Sequence, residues 1–478
     1  MPNKTFYITT TLPYVNSDPH IGFAMELVRA DIIARYKKLL GYEVFFNTGT
    51  DEHGQKIYDG AKKAGLDTKA YVDNFAAKFK NLIPLLNIDP EVNFIRTTDK
   101  SHIKSAQTFW QQCDAGGFIY KKNYQVKYCV GCELEKTDSD LVDGHCPLHP
   151  KIDLELRDEE NYFFKFSAFE DKLLDFYDQE PGFVVPSWRL KEIRNFVQGG
   201  LQDFSISRLK TKMPWGIPVP GDDSQVMYVW FDALVNYISA LGWPDNLDSF
   251  NKWWPAVQYA GKDNLRQQSA MWQAMLMSVE LPPSRRVIIN GFINGPDGSK
   301  MSKSLGNVVA PEDLVAEFGA EAVRYYIARH FQNFEDSDFS LAKFKEAYNA
   351  NLANGLGNLV SRIMKMATTY NVSISDVDKE ATFFTTEIPE LENYDINKFA
   401  DNIWADIGKL DEYIQREEPF KKIKVDQVGA EKDVAYLLAS LFKVALMLEP
   451  LMPDTAQKIK TFILDNKMPS EALFLRQD

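Results

Sequence analysis

Residues 5–46 read TFYITTTLPYVNSDPHIGFAMELVRADIIARYKKLLGYEVFF, and the changes of period within them decide the fold. Thr5 to Leu12 is a run of β-branched and aromatic residues stopped by Pro13, which predicts a strand. A turn-rich stretch, Asn16-Ser17-Asp18-Pro19, follows. From Gly22 the period lengthens: Met25, Val28, Ile32, Tyr36 and Leu39 recur at helical spacing until Gly41 ends the run. Glu43-Val44-Phe45-Phe46 then predicts a second strand. Strand, long helix, strand is a βαβ unit, so a doubly wound, Rossmann-like parallel sheet is expected, with a ligand crevice at the carboxyl ends of its strands.

Outward from this unit the texture changes twice. Short strands, turn residues and clustered Cys and His appear between Asn123 and Pro150, whereas Val226 to Leu241 returns to apolar, aromatic-rich character and Arg286 to Asn290 reads as a buried strand. Beyond Leu341 the sequence is helical: residues 349–366, 396–417 and 432–448 carry apolar side chains at three- and four-residue spacing. The expected organisation is α/β at residues 1–117, an insertion at 118–222, the second α/β half at 223–340 and an all-α bundle at 341–478.

Composition bounds the class. Apolar residues make up 45% and charged residues 25%, a globular balance. Lys plus Arg total 54 against 67 Asp plus Glu, and a net charge of −13 speaks against indiscriminate binding to nucleic acid or membrane. No apolar run is long enough to span a bilayer and no apolar leader opens the chain, so a cytoplasmic protein without membrane contact is expected. Four cysteines in 478 residues do not make a disulfide framework.

Three local patterns carry chemistry. His20-Ile21-Gly22-Phe23 sits between strand and helix, where backbone N–H groups and the helix dipole favour a phosphate; Gly22 allows close approach and His20 can donate to phosphate oxygens. Lys300-Met301-Ser302-Lys303-Ser304 follows a turn-forming Asn294-Gly295-Pro296-Asp297-Gly298, and two lysines on such a loop can neutralise a leaving pyrophosphate. Cys129-Val130-Gly131-Cys132 and Cys146-Pro147-Leu148-His149 supply four donors at the spacing of a tetrahedral structural zinc site. His145 is a competing nitrogen, but His149 has the regular spacing; Cys113 lies apart in a helical pattern and reads as a buried hydrophobe.

The first two patterns together resemble the class I aminoacyl-tRNA synthetases, whose signatures are His-Ile-Gly-His and Lys-Met-Ser-Lys-Ser. Phe23 departs from the first signature. Leu12-Pro13-Tyr14-Val15-Asn16, Gly49-Thr50-Asp51-Glu52-His53-Gly54 and Tyr228-Val229-Trp230-Phe231-Asp232-Ala233-Leu234 narrow the resemblance to the methionyl enzymes over essentially the whole chain. That resemblance implies catalysis by His20, Lys300 and Lys303. It implies ATP binding by His20, Gly22, Phe23, Glu26, Asp263 and Lys303, with Mg²⁺ accompanying ATP. It implies Asp51 at the methionine ammonium, with Leu12, Tyr14, Trp230, Leu234, Tyr237, Gln268 and Trp272 around the side chain. Gln268 stands where the family usually has histidine. An aromatic pocket suits an unbranched thioether, which attracts ring edges by roughly 0.3–1.5 kcal/mol.

The same resemblance makes the bundle the anticodon reader, with Asn358 and Arg362 four apart on one helix face and Phe420 stacking on a base. The insertion is too short for the editing domain of the valyl, isoleucyl and leucyl enzymes, and its zinc knuckle would guide the tRNA acceptor end. The expected partners are tRNA(Met), L-methionine and ATP, and the expected state is a monomer with one structural Zn²⁺.

Overall fold

A computed structural model describes residues 4–132, 134–136, 140–296, 298–299, 301, 309–375 and 382–477; the side chains at 124–126, 134–135 and 157–159 are not described. Lys300 and Lys303 lie outside the described residues. The sequence-expected strand and helix are β1 (Thr5–Thr9) and α1 (Ile21–Leu39), followed by β2 (Glu43–Thr50) and β3 (Asn93–Arg96). The helix begins where the Gly22 N–H donates to Nδ1 of His20, 3.1 Å away, satisfying one of the first-turn donors. It ends at Gly41, whose φ of +81° suits a residue without Cβ.

Six parallel strands form the central sheet in the order β3, β2, β1, Val257–Gly261, Arg286–Asn290, Val184–Val185. The chain winds one way from β1 and resumes on its other side at Val257, so the strand order reverses between β1 and the Val257–Gly261 strand. A crevice necessarily opens beyond the carboxyl ends of these two neighbours. It is lined by segments that the sequence separates by more than two hundred positions.

The expected insertion at 118–222 builds a layer of its own but also lends two residues to the central sheet. Strands Leu134–Lys136, Ile119–Cys129, Glu155–Phe164 and Phe204–Ser205 form an antiparallel sheet, but Val184 and Val185 from the same interval pair with Val287 and Ile288 as the edge of the central sheet. One apolar core joins Phe164, Phe169 and Phe183 of this interval to Phe109, Tyr237 and Trp272 behind the crevice.

A second core continues without a break from β1 and α1 into the bundle helices Asn358–Tyr370, Ile396–Glu417, Gln427–Leu448 and Pro453–Leu464. Two buried arginines fasten this junction. Arg29 of α1 donates to Asn290 Oδ1 and to the carbonyls of Phe331, Gln332 and Asn333 at 2.7–2.9 Å. Arg324 meets Asp31 of α1 at 2.7 Å and donates to the carbonyls of Pro450 and Leu451. Burying these guanidiniums is tolerable because most of their donors meet carbonyls or carboxylate, Arg29 Nε being the exception. Among the described residues no helix is long and apolar enough to cross a membrane.

Candidate active site and metal centre

The segment leaving β1 is stitched to the end of β2. The N–H of Asp51 donates to the Pro13 carbonyl and that of Val15 to the Asp51 carbonyl, at 3.0 and 3.1 Å, which sets Tyr14 beside Asp51. Both face a cleft of about 470 Å³ at the reversal of strand order. Leu12, His20, Phe23, Trp230, Leu234, Tyr237, Asp263 and Gln268 line the same cleft. Residues expected at the amino-acid and nucleotide ends therefore share one space.

Trp230 and Tyr237 reach the cleft from two short helices, Val229–Leu234 and Asn236–Ser239, rather than from one continuous face. Trp272 does not line the cleft. It has no exposed surface and backs Tyr237 with ring centroids 5.9 Å apart. Tyr237 is held at both ends: Gln268 Nε2 donates to its hydroxyl at 2.7 Å, and the Tyr7 hydroxyl donates to its carbonyl at 2.8 Å. The amide orientation of Gln268 is set by Gln258, whose Nε2 donates to Gln268 Oε1 at 3.3 Å. Gln268 thus supplies a donor to the pocket's tyrosine without titrating near neutrality.

The π-helical turn Gln267–Met271 inserts an extra residue per turn and places adjacent Gln267 and Gln268 on the cleft together. Gln267, Asn236, Asn264 and Lys56 are lining residues that the sequence reading did not single out. A π-turn has no clear sequence signal; two successive amides at the point where the polar stretch 262–269 gives way to an apolar one were the available hint.

At the nucleotide corner, the His20 and Phe23 rings lie 4.2 Å apart, and Phe23 sets its edge against Phe79 at 5.3 Å. Phe23 therefore braces His20 where the family signature has a second imidazole. A Cβ on residue 22 would come within 2.9 Å of His20 Cε1, so glycine is needed for this ring position. Because Nδ1 accepts from Gly22, the ring hydrogen is on Nε2, ready for an anionic oxygen. The flanks of the lysine loop adjoin this corner: the Ile21 N–H donates to the Val309 carbonyl at 3.1 Å, and Met301 packs against the core that includes α1.

Glu26 accepts from the Thr11 N–H and hydroxyl at 2.7 and 2.6 Å. Burial pushes its carboxyl up to about 8, Thr11 opposing the rise and Asp263 adding to it. The unfolded chain ionises first, so ionisation opposes folding between the two pKa values. In Glu26→Gln the amide oxygen can still accept both Thr11 hydrogens. The variant should gain stability relative to the wild type as pH rises from about 4.5 to about 8, read as the difference in thermal midpoints. A difference independent of pH would show that Glu26 ionises normally.

Donor atoms of Cys129, Cys132, Cys146 and His149 all lie within 4.8 Å of one another. Nδ1 of His149 is 3.1 Å from Cys132 Sγ and 3.9 Å from the sulfurs of Cys129 and Cys146. Three thiols and one imidazole nitrogen converging in this way fit one tetrahedral zinc ion. His145 is turned away, with Nδ1 at the Asp143 carbonyl, 2.9 Å distant. A Cβ on residue 131 would strike the His149 ring at 2.4 Å, which explains the glycine inside the first Cys pair. The knuckle is also part of the cleft wall, through Gly131, Cys132, Leu148 and His149. Lys56 ties it there by donating to the Gly131 carbonyl at 2.5 Å. Cys113 stands apart: burial pushes its thiol up to about 12, as expected of a core residue.

The expected base-reading residues lie on the bundle, outside this cleft. Asn358 is exposed and opens the α-helix that follows a π-helical stretch, Tyr348–Gly357. Arg362 is ion-paired with Asp411. Phe420 is 44% exposed in the short helix Pro419–Lys422, a ring face available to solvent.

The family model for class I tRNA synthetases (M) matches residues 6–154 and 150–364. A methionine–tRNA ligase of Thermotoga maritima is 40% identical over 98% of this chain and 76% of its own length. One from Thermosynechococcus vestitus is 40% identical over 95% of this chain and 89% of its own. Among solved structures, Mycobacterium tuberculosis methionyl-tRNA synthetase in complex with methionyl-adenylate superposes with a TM-score of 0.91. It has 32% sequence identity, and the match covers 99% of this chain and 100% of that one.

Proposed function

The chain belongs to the class I methionyl-tRNA synthetases, and from that membership we propose that it joins L-methionine to tRNA(Met) with ATP, through a methionyl-adenylate. The observation that carries the reading is the single cleft that unites His20, Asp51, Trp230, Tyr237 and Asp263 at the reversal of strand order. Asp51 holds the ammonium, and the ring-lined end takes the thioether, with Gln268 fixing the Tyr237 hydroxyl. The methionine carboxylate attacks the α-phosphorus in line; an O–P bond forms as the bond to the β-phosphate oxygen breaks and pyrophosphate leaves. His20 donates through Nε2 to the oxygens on which charge grows, and Lys300 and Lys303 neutralise the departing phosphates. Mg²⁺ carried by ATP would shield the same charge. The 2′-hydroxyl of the tRNA's terminal adenosine then attacks the methionyl carbonyl, expelling AMP and releasing its proton. Positioning and fixed charge supply most of the acceleration.

Cys129, Cys132, Cys146 and His149 hold one structural zinc, which orders the knuckle beside the cleft mouth where the acceptor end enters. Asn358, Arg362 and Phe420 read the anticodon, Arg362 exchanging Asp411 for a base. The test is amino-acid-dependent ATP–pyrophosphate exchange followed by charging of tRNA(Met). Exchange should require methionine; exchange driven by another amino acid, or none with methionine, would reject the assignment.

A further inference from the structure

Behind the cleft wall lies a buried polar chain that the reaction above does not use. Asp232 is fully enclosed on the Val229–Leu234 helix, which also carries Trp230 and Leu234. His53 Nδ1 donates to Asp232 Oδ2 at 3.1 Å, and His102 Nε2 stands 3.6 Å from Oδ1. His102 Nδ1 lies 2.9 Å from Ser239 Oγ, and both imidazoles are buried. Three elements meet at this carboxylate: the segment after β2 with Asp51 and His53, the helix Lys100–Ala115 with His102, and the helix bearing the ring-lined wall.

Burial alone would raise the Asp232 carboxyl, yet the two imidazoles outweigh it and hold the group below the usual carboxylate range. The neighbouring carboxylate of Glu52 is engaged elsewhere, accepting from Arg96 Nε at 2.6 Å. An enclosed ion of this kind costs several kcal/mol to desolvate and is weak evidence for stability as such. What it does enforce is geometry, because a charged centre between two fixed imidazoles has one low-energy position.

We propose that Asp232 is a positioning residue for the amino-acid substrate: hydrogen-bonded to His53 and facing His102 at 3.6 Å, it fixes the spacing between Asp51 and the Trp230 side of the pocket. The proposal rests on the function assigned above for the identity of that amino acid. ATP meets other parts of the cleft and is indifferent to this spacing.

Exchange kinetics measured separately in methionine and in ATP test it. In Asp232→Asn, whose amide oxygen still accepts from His53 but carries no charge, KM for methionine should rise about tenfold, with kcat and KM for ATP changed less than about twofold. His53→Ala should show the same signature, and His53→Gln, which keeps an N–H for Asp232, should recover part of it. An equal rise in both KM values, an unchanged methionine KM in His53→Ala, or no recovery at all in His53→Gln would overturn the proposal. Should Asp232→Asn fail to fold, the His53 pair decides it alone. Absence of methionine-dependent exchange in the wild type would instead strike the assigned function.

Discussion

Alanine at His20 lowers kcat of methionine-dependent exchange by about 10²–10³, a loss of roughly 2.7–4 kcal/mol of transition-state stabilisation. The effect is large because the ring is preset. Gly22 N–H occupies Nδ1, Phe23 lies against one face, and the hydrogen on Nε2 needs no rearrangement when charge develops on the phosphate. Lys303→Ala is expected to lose a similar factor. The double variant should lose less than the product of the two, since both act on the same developing charge. The methionine KM should stay nearly constant in each, because the interaction removed is with phosphate charge that develops only in the transition state. Wild-type exchange in Lys303→Ala would reject the loop's role, and a rise confined to KM would reject transition-state stabilisation by His20.

Cys146→Ala is expected to abolish binding of the zinc proposed for this cluster and to unfold the segment between Cys129 and His149. Structural zinc sites in small modules contribute on the order of 10–16 kcal/mol, far more than the few apolar contacts of this stretch can replace. Cys129 and Cys146 are buried, but Val142 between them and Leu148 just beyond are exposed, so these two apolar side chains add nothing to a local core. The expected readouts are one zinc per chain falling to none and new protease cuts within residues 129–149. Loss of charging should exceed loss of exchange, the latter falling because the knuckle forms part of the cleft wall. His145→Ala is the control and should keep its metal. A zinc-free variant as resistant to proteolysis as the wild type would show that the metal does not hold the knuckle.

Much of this was legible before any coordinates. The change of period between Thr5 and Phe46 announced the parallel sheet because strand and helix periods are local properties of the chain. The cysteine spacing announced the cluster of metal-ligating side chains because ligands three positions apart in a turn can reach one ion whatever surrounds them. Side-chain chemistry at His20, Asp51 and Trp230 named the substrates once their segments resembled a known family.

What folding alone decided is which distant segments touch. Val184–Val185 became the edge of the central sheet although its neighbours in sequence build another layer. Trp272 withdrew behind Tyr237, and a π-turn brought Gln267 to the cleft. The knuckle proved to wall the cleft, and a single core ran through the junction between sheet and bundle. Local spacing encodes conformation and donor chemistry, whereas these outcomes depend on volumes and hydrogen bonds closed between residues far apart in sequence. Such closures have no period to read; they exist only once close packing has selected one arrangement from many that the local pattern allows.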